Sequence, residues 1–336
     1  MFIGLCGSAY AGKVTIAKYL NEVHDFTPIL LTLNPSTTSE SAHPIVPSSL
    51  TFTTVEALLD HVTKYWRSHF VLADIPSEAI LEQLSRRPFF LLVSVDAPLT
   101  VRYRRFQQDR LLFSRFLFRW SPAPSQTTPL TTPSTLEDFA LLSDTHLYHP
   151  THGQLPLMSR AVVRILNTSS DLSALYATLD RINLLDPNRL RPSWDSYFMS
   201  LASLAAHRSN CMKRRVGCVV VRDKRVISTG YNGTPRGLVN CGEGGCGRCN
   251  AGEGSGHGLA TCLCLHAEEN ALLEAGRERL REGAVLYCDT CPCLTCSIKI
   301  VQVGISEVVY SQEYSMDEKT KMVLKEGGVR LRQFVP

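Results

Sequence analysis

The chain opens on an unbroken apolar run, Phe2 to Cys6, then a glycine-containing turn and a segment from Lys13 to Leu20 with apolar positions at helical spacing. These read as strand, turn and helix. Phe70 to Asp74 and Phe89 to Asp96 are further apolar strands that end in an acid, and Ala161 to Leu166 is a fourth strand-like run. Strands that are apolar throughout, separated by helical stretches, predict a parallel sheet covered on both faces. The stretch SPAPSQTTPLTTPST, near 121–135, is too rich in Pro, Ser and Thr to pack and reads as a mobile insertion. A helical stretch to about Leu185 completes a first domain over residues 1–185.

Residues 186–192, rich in Pro and Arg, read as a linker. A second domain over 193–336 starts with an amphipathic helix, Trp194 to His207. Two strands follow, Val216 to Val221 and Val226 to Gly230, split by the charged turn Arg222-Asp-Lys-Arg225. Beyond a loop rich in glycine and cysteine come helix, strand (Ala284 to Cys288), helix, strand (Glu307 to Tyr310) and helix. The expected class is α/β in both domains.

The length of 336 residues suits two domains, and 44% hydrophobic with 20% charged residues excludes disorder, collagen and coiled coil as descriptions of the whole. A formal net charge of +4 is too small a bias to announce nucleic-acid binding. No apolar run approaches the roughly 18 residues of a membrane span, and no basic segment precedes the apolar start. The expectation is therefore a cytoplasmic protein, or one also present in the nucleus, without a membrane partner. Of twelve cysteines, all but Cys6 lie between Cys211 and Cys296. In a reducing compartment such crowding points to metal ligands before disulfides.

His266-Ala-Glu268 followed by Pro292-Cys293-Leu-Thr-Cys296 matches the two-part signature of zinc deaminases. Cys293 and Cys296, three apart, can present both sulfurs from one helix face. Pro292 suits a first turn, and the helix dipole favours thiolate there. His266 as third ligand leaves Zn2+ an open position for water, the arrangement of a catalytic site. Two thiolates cancel the charge of the ion, so the water needs a base, and Glu268 is the candidate. Residues two apart on a helix diverge by about 200°, so His266 and Glu268 can address one site only where the helix starts. Glu268 is then expected to take a proton from water that adds to an amino-bearing ring carbon, and to return protons to the ring nitrogen and the leaving amine.

From Arg191 onward, RPSWDSYFMSLASLAAHRSNCMKRRVGC, STGYNGTPRG, CLCLHAEENALLEAG, DTCPCLTC and GISEVVYSQEY resemble the deoxycytidylate deaminase family, above all its fungal form. The resemblance implies a three-layer α/β/α cytidine-deaminase-like fold and hydrolysis of dCMP to dUMP, supplying thymidylate synthesis. It also implies a homo-oligomer, often a hexamer, activated by dCTP and inhibited by dTTP, with Mg2+ accompanying the effector. By resemblance Asn232 of GYNGTP contacts the nucleotide, its loop takes part in effector binding, and Tyr314 contacts substrate. A monophosphate needs cations; among Lys213, Arg214, Arg215 and Arg236, Arg215 is favoured. Some family members carry a second zinc, to which Cys211, Cys241 and Cys264 correspond. Cys249 is chosen as fourth ligand, Cys246 next, and His257 is a further candidate. A closed tetrahedral zinc would stabilise a loop with little apolar material. Its four thiolates leave about −2, offset by Lys213, Arg214 and Arg248.

In the first domain, Gly7 to Gly12-Lys13 matches a phosphate-cradling loop through its lysine, between strand and helix. Val14 stands where Ser or Thr would hold Mg2+. Asp74 is the candidate metal-side acid, and Arg102, Arg104 and Arg105 resemble a basic lid. In outline this half resembles nucleoside monophosphate kinases or dephospho-coenzyme A kinase; a degenerate structural or nucleotide-sensing domain is favoured over a working kinase, with ATP as the ligand of Lys13 if it binds one. Two other readings of the whole compete: a deaminase of cytosine or adenine within nucleic acid, and a non-catalytic, zinc-stabilised nucleotide-sensing module. The first would need a basic, aromatic groove beside the pocket, which the composition around the motif does not supply.

Overall fold

The computed structural model describes residues 1–33, 49–110, 135–169, 171–252, 254, 257–280, 282–313 and 318–335. Of the expected insertion, 121–134 lie outside them, as does Tyr314. Two compact units emerge, Met1–Arg191 and Pro192–Pro336.

The first unit holds β1 (Phe2–Gly7), α1 (Lys13–His24), β2 (Thr27–Leu31), β3 (Leu50–Phe52), α2 (Val55–Lys64), β4 (Phe70–Leu72), α3 (Glu78–Ser85), β5 (Phe90–Asp96), α4 (Leu99–Arg110), α5 (Leu136–Tyr148), α6 (Leu155–Ser159), β6 (Val163–Leu166) and α7 (Leu172–Ile182). Its strands form one parallel sheet in the order β3-β2-β4-β1-β5-β6. Alternate side chains of β1 serve opposite faces. Ile3 and Leu5 join a cluster with Ile16, Leu20, Leu175 and Leu179 from α1 and α7. Phe2 and Cys6 join another with Leu58, Val62, Leu81 and Leu84 from α2 and α3. The doubly covered parallel sheet is the one the apolar strands predict; β2 and β3 are additions to it. Pro28 interrupts the strand signal of β2, and β3 spans only 3 residues. Leu190, within the expected linker, packs against the first unit's core.

The second unit holds α8 (Trp194–Ala206), β7 (Gly217–Arg222), β8 (Arg225–Tyr231), α9 (Gly247–Asn250), α10 (Ala267–Ala275), β9 (Val285–Thr290), α11 (Leu294–Val303), β10 (Glu307–Gln312), α12 (Glu318–Glu326) and β11 (Arg330–Gln333). The sheet runs β11-β10-β9-β7-β8, with β7 antiparallel to β8 and β9 and the other pairs parallel. Asp223 and Lys224 both take positive φ, 51° and 60°, as a two-residue hairpin turn requires. Cys218 and Val220 face Ala267, Ala271, Ile300 and Leu324 of α10, α11 and α12. Val219 and Val221 face Phe198, Met199 and Ala202 of α8. This is a three-layer α/β/α arrangement. α10 lies so close to β8 that a Cβ on Gly230 would stand 2.1 Å from the Ala267 carbonyl oxygen.

Candidate active site and metal centres

Two helix N-termini meet where His266, Cys293 and Cys296 converge. His266 caps α10 with extended backbone (φ −77°, ψ 155°), and Cys293 caps α11 in the same manner (φ −79°, ψ 170°). Cys296 follows in the first turn of α11. Pro292 therefore precedes the cap instead of occupying the first turn, because Cys293 is extended. The His266 Nδ1 lies 3.3 Å from Cys293 Sγ and 3.4 Å from Cys296 Sγ. All three donor atoms lie within 4.8 Å of one another. Around a tetrahedral zinc with ordinary bond lengths, neighbouring N and S ligands stand about 3.6 Å apart and two S ligands about 3.8 Å. The donor set and its spacing fit Zn2+.

Glu268 is the second residue of α10 and is buried. Burial pushes its carboxyl up to about 7, against the opposing pull of its own backbone N–H and of His266. The helix thus starts where the two-residue spacing demands. The Cys293 thiol is pulled down to about 3, first by the hydrogen bond from Cys296, then by those from His266 and Thr295, whose Oγ1 is 3.1 Å away. α10 is fixed from both sides: Lys299 on α11 pairs with Glu269 at 2.6 Å, and Asn270 Nδ2 donates to the Tyr231 carbonyl at 2.8 Å. Gly233 and Leu265 exchange two backbone hydrogen bonds, 3.1 and 2.8 Å, immediately ahead of His266.

Asp289 belongs to neither motif. It accepts from the Gly217 N–H at 3.1 Å, and burial raises its carboxyl. An acid ending an apolar strand just before the cysteine motif is the signal that marks it.

Cys211, Cys241, Cys246, Cys249, Cys262 and Cys264 pack into one cluster. Two groups of four have their sulfurs mutually within 4.8 Å: Cys211, Cys241, Cys249 and Cys264, and Cys246, Cys249, Cys262 and Cys264. The first is the expected second-zinc set. His257 is in neither group among the described residues; its carbonyl instead accepts from Arg248 Nε at 2.7 Å.

Asn232 is buried and heavily engaged. Its Oδ1 accepts from Val216 N at 2.8 Å and Ser209 Oγ at 2.7 Å, and its Nδ2 donates to the Arg214 carbonyl at 2.7 Å. It therefore sets the shape of the 209–216 loop. That loop lines a cleft of about 640 Å³ with Ser209, Asn210, Lys213, Arg214, Arg215 and Asn240. Arg215 is exposed there. Arg236 pairs loosely with Glu274 at 3.6 Å.

In the first unit, Lys13 opens α1, with Gly12 as its cap at φ 107° and Gly7 at φ 129°. The Lys13 ammonium donates to the Gly7 carbonyl at 2.6 Å and the Ser8 carbonyl at 3.3 Å, and pairs with Asp74 at 3.4 Å. A Cβ on Gly12 would stand 2.6 Å from Asn167 Nδ2. The lid reading of the arginines is corrected. Arg102 is buried, donating to the Ala97 carbonyl at 2.9 Å and Ser143 Oγ at 2.7 Å. Arg105 donates to the carbonyls of Ala11 at 3.1 Å and Ser169 at 2.9 Å. Both hold backbone oxygens in place, and only Arg104 is exposed.

Residues 192–312 match the family model of the cytidine and deoxycytidylate deaminase zinc-binding region, the class that a His-x-Glu at one helix start and a Pro-Cys-x-x-Cys at the next define. The chain is 46% identical over 334 residues to deoxycytidylate deaminase of Schizosaccharomyces pombe, covering 99% of this chain and 97% of that relative. It is 48% identical over 291 residues to deoxycytidylate deaminase of Saccharomyces cerevisiae, covering 83% and 85%. The solved dCMP deaminase of cyanophage S-TIM5 in complex with dCMP and dUMP is 31% identical, covers 43% of this chain and 98% of that one, and gives a TM-score of 0.35. The chain belongs to the deoxycytidylate deaminase family of hydrolases.

Proposed function

We propose that the second unit hydrolyses dCMP to dUMP and ammonia, with Zn2+ held by His266, Cys293 and Cys296 and with Glu268 moving the protons. The observation that carries this reading is the buried Glu268 in the first turn of the helix that His266 caps, against the helix start bearing both thiols. When bound, the zinc supplies Lewis-acid activation of water. Glu268 accepts one proton as the water oxygen bonds to the amino-bearing ring carbon, and passes it to the adjacent ring nitrogen. The remaining water proton goes by the same carboxylate to the amine as the carbon–nitrogen bond breaks. One water enters and one ammonia leaves. Burial of Glu268, which favours its protonated form, assists the return of each proton.

Arg215 is the proposed cation for the substrate phosphate. Asn232 would act by holding the 209–216 loop, and Tyr314 remains the proposed aromatic contact. Binding of dCTP or dTTP with Mg2+ is proposed at the loop Gly230 to Pro235 around Asn232, beside the cleft that Lys213 and Arg214 line. A second zinc is proposed on Cys211, Cys241, Cys249 and Cys264. The first unit is read as structural or nucleotide-sensing, because Lys13 is already bonded to its own loop and to Asp74.

Ammonia release is to be measured with dCMP, CMP, cytidine and a cytosine-bearing oligonucleotide, alongside zinc content. Glu268→Gln should abolish release from dCMP while zinc per chain is unchanged. Full activity in that variant, or release from the oligonucleotide alone, refutes the reading.

A further inference from the structure

The cysteine cluster holds more thiols than one tetrahedral ion can use. Cys249 and Cys264, 4.0 Å apart at sulfur, belong to both groups of four. Cys211 lies 4.0 Å from Cys249, Cys262 lies 3.8 Å from Cys249, and Cys246 lies 3.9 Å from Cys262. These spacings are close to the roughly 3.8 Å edge of a tetrahedral zinc–thiolate site. They are nearly twice the bond length of a disulfide, about 2.05 Å, and all six cysteines are free. Two tetrahedra with a common edge account for every thiol in the cluster; one tetrahedron leaves Cys246 and Cys262 at ligand spacing without an ion.

The surroundings are those of thiolates. The Met212 N–H points at Cys241 Sγ (3.5 Å) and the Leu263 N–H at Cys246 Sγ (3.4 Å). Arg248 Nη1 stands 4.0 Å from Cys262 Sγ while its other nitrogens are held by the carbonyls of His257 and Gly254. The covalent frame also needs such a site. Residues 241–264 contain many glycines and few large apolar side chains, so the loop has few other means of holding its five sulfurs together against Cys211.

We propose that this cluster is a binuclear metal–thiolate site: Cys211 and Cys241 are terminal ligands of one Zn2+, Cys246 and Cys262 of a second, and Cys249 and Cys264 bridge the two. Loading it replaces six thiol protons by two divalent ions and leaves a net −2, the same charge a single four-thiolate ion would carry, with Arg248 and the two N–H groups beside it. The proposal rests on the second-zinc reading above and adds one ion to it. Soft thiolates in tetrahedral groups select zinc over harder cations.

The test uses the full chain. Native mass spectrometry with metal analysis should find three zinc ions per chain, falling to two in Cys246→Ser/Cys262→Ser and to two in Cys293→Ser. After exchange with cadmium-113, two of three metal resonances should be split by coupling to each other through the bridging sulfurs, while the third is a single line. That spectrum needs no variant and so does not depend on whether a substituted chain folds. Two ions per chain in the unsubstituted protein, or three uncoupled resonances, overturns the binuclear site. A count that Cys293→Ser does not lower would instead refute the active-site reading, so the two failures are distinguishable.

Discussion

The tight seat of α10 on β8 makes Gly230→Ala an informative perturbation. Gly230 pairs with Cys218 across the sheet. The new Cβ would lie 2.1 Å from the Ala267 carbonyl oxygen and 2.5 Å from the Ala271 nitrogen, against 3.4 Å for ordinary contact. Relief needs about 1 Å of retreat by the helix start, and both obstructing atoms are backbone, so no side chain can swing aside. Ala267 sits between His266 and Glu268, so the retreat is carried directly into the proposed zinc ligand and proton carrier. Misplacement of this order costs about 10²-fold in rate, or roughly 2.7 kcal/mol in the activation barrier. The overpacking itself should cost about 1–3 kcal/mol of stability. Steady-state ammonia release from dCMP and a thermal melt would be measured on Gly230→Ala beside Gly247→Ala, whose added Cβ meets nothing within 4 Å. A Gly230→Ala protein with kcat/KM within threefold of the parent and an unchanged Tm would show that the helix does not depend on this contact.

Three further outcomes are expected. His146, buried with its Nε2 3.1 Å from the Gly7 carbonyl, has its pKa lowered to about 4, first by burial and then by Lys13; the unfolded chain takes up that proton near pH 6.5, so stability is full above that value and falls by up to about 3 kcal/mol as pH drops towards 4. Urea unfolding at pH 7 and pH 5 should show this slope flattened in His146→Gln, and an equal slope in both proteins would refute it. Asp195 is held below the usual carboxylate range first by its hydrogen bond from Arg332, so its contribution is present at neutral pH and lost as pH falls through its folded pKa; Asp195→Asn should lower the Tm at pH 7 by the equivalent of about 1 kcal/mol or less, as befits a partly exposed pair, with an effect that shrinks progressively as the solution is acidified. Removal of metal by a strong chelator should open the 241–264 loop to limited proteolysis and make its thiols reactive to a disulfide reagent, whereas a loop that stays protected when metal-free would mean that packing alone holds it.

Legibility in the sequence followed the range of the interactions involved. β1, β4 and β5 are visible because burial on both faces keeps them almost wholly apolar, and β6, an edge strand, because Val163 and Ile165 alternate towards the core. β11 is not, because Arg332 looks like a surface charge until Asp195 and Glu307, distant along the chain, are found beside it at 2.7 and 2.9 Å. The His-x-Glu and Pro-Cys-x-x-Cys elements are local spacings at helix starts, which sequence records directly. The grouping of six cysteines depends on how a loop folds back on itself and on Cys211: the family resemblance points to three ligands of a second zinc, but nothing in the sequence shows that Cys262 belongs beside both Cys246 and Cys249. Arg102 and Arg105 mark the same limit: a fixed positive charge is legible, but whether it meets a phosphate or the chain's own carbonyls depends on the turn opposite it.

The paired hydrogen bonds between Gly233 and Leu265 close the neck of a long excursion. The described residues between Thr234 and Cys264 form one excursion bounded by that clasp, and His266 follows one residue past it. Residues can be gained or lost inside the excursion without changing the register of the histidine against the sheet. Variation in length between proteins that share this chemistry should therefore accumulate there, and an inserted peptide tag should be borne there more readily than between Leu265 and Glu268.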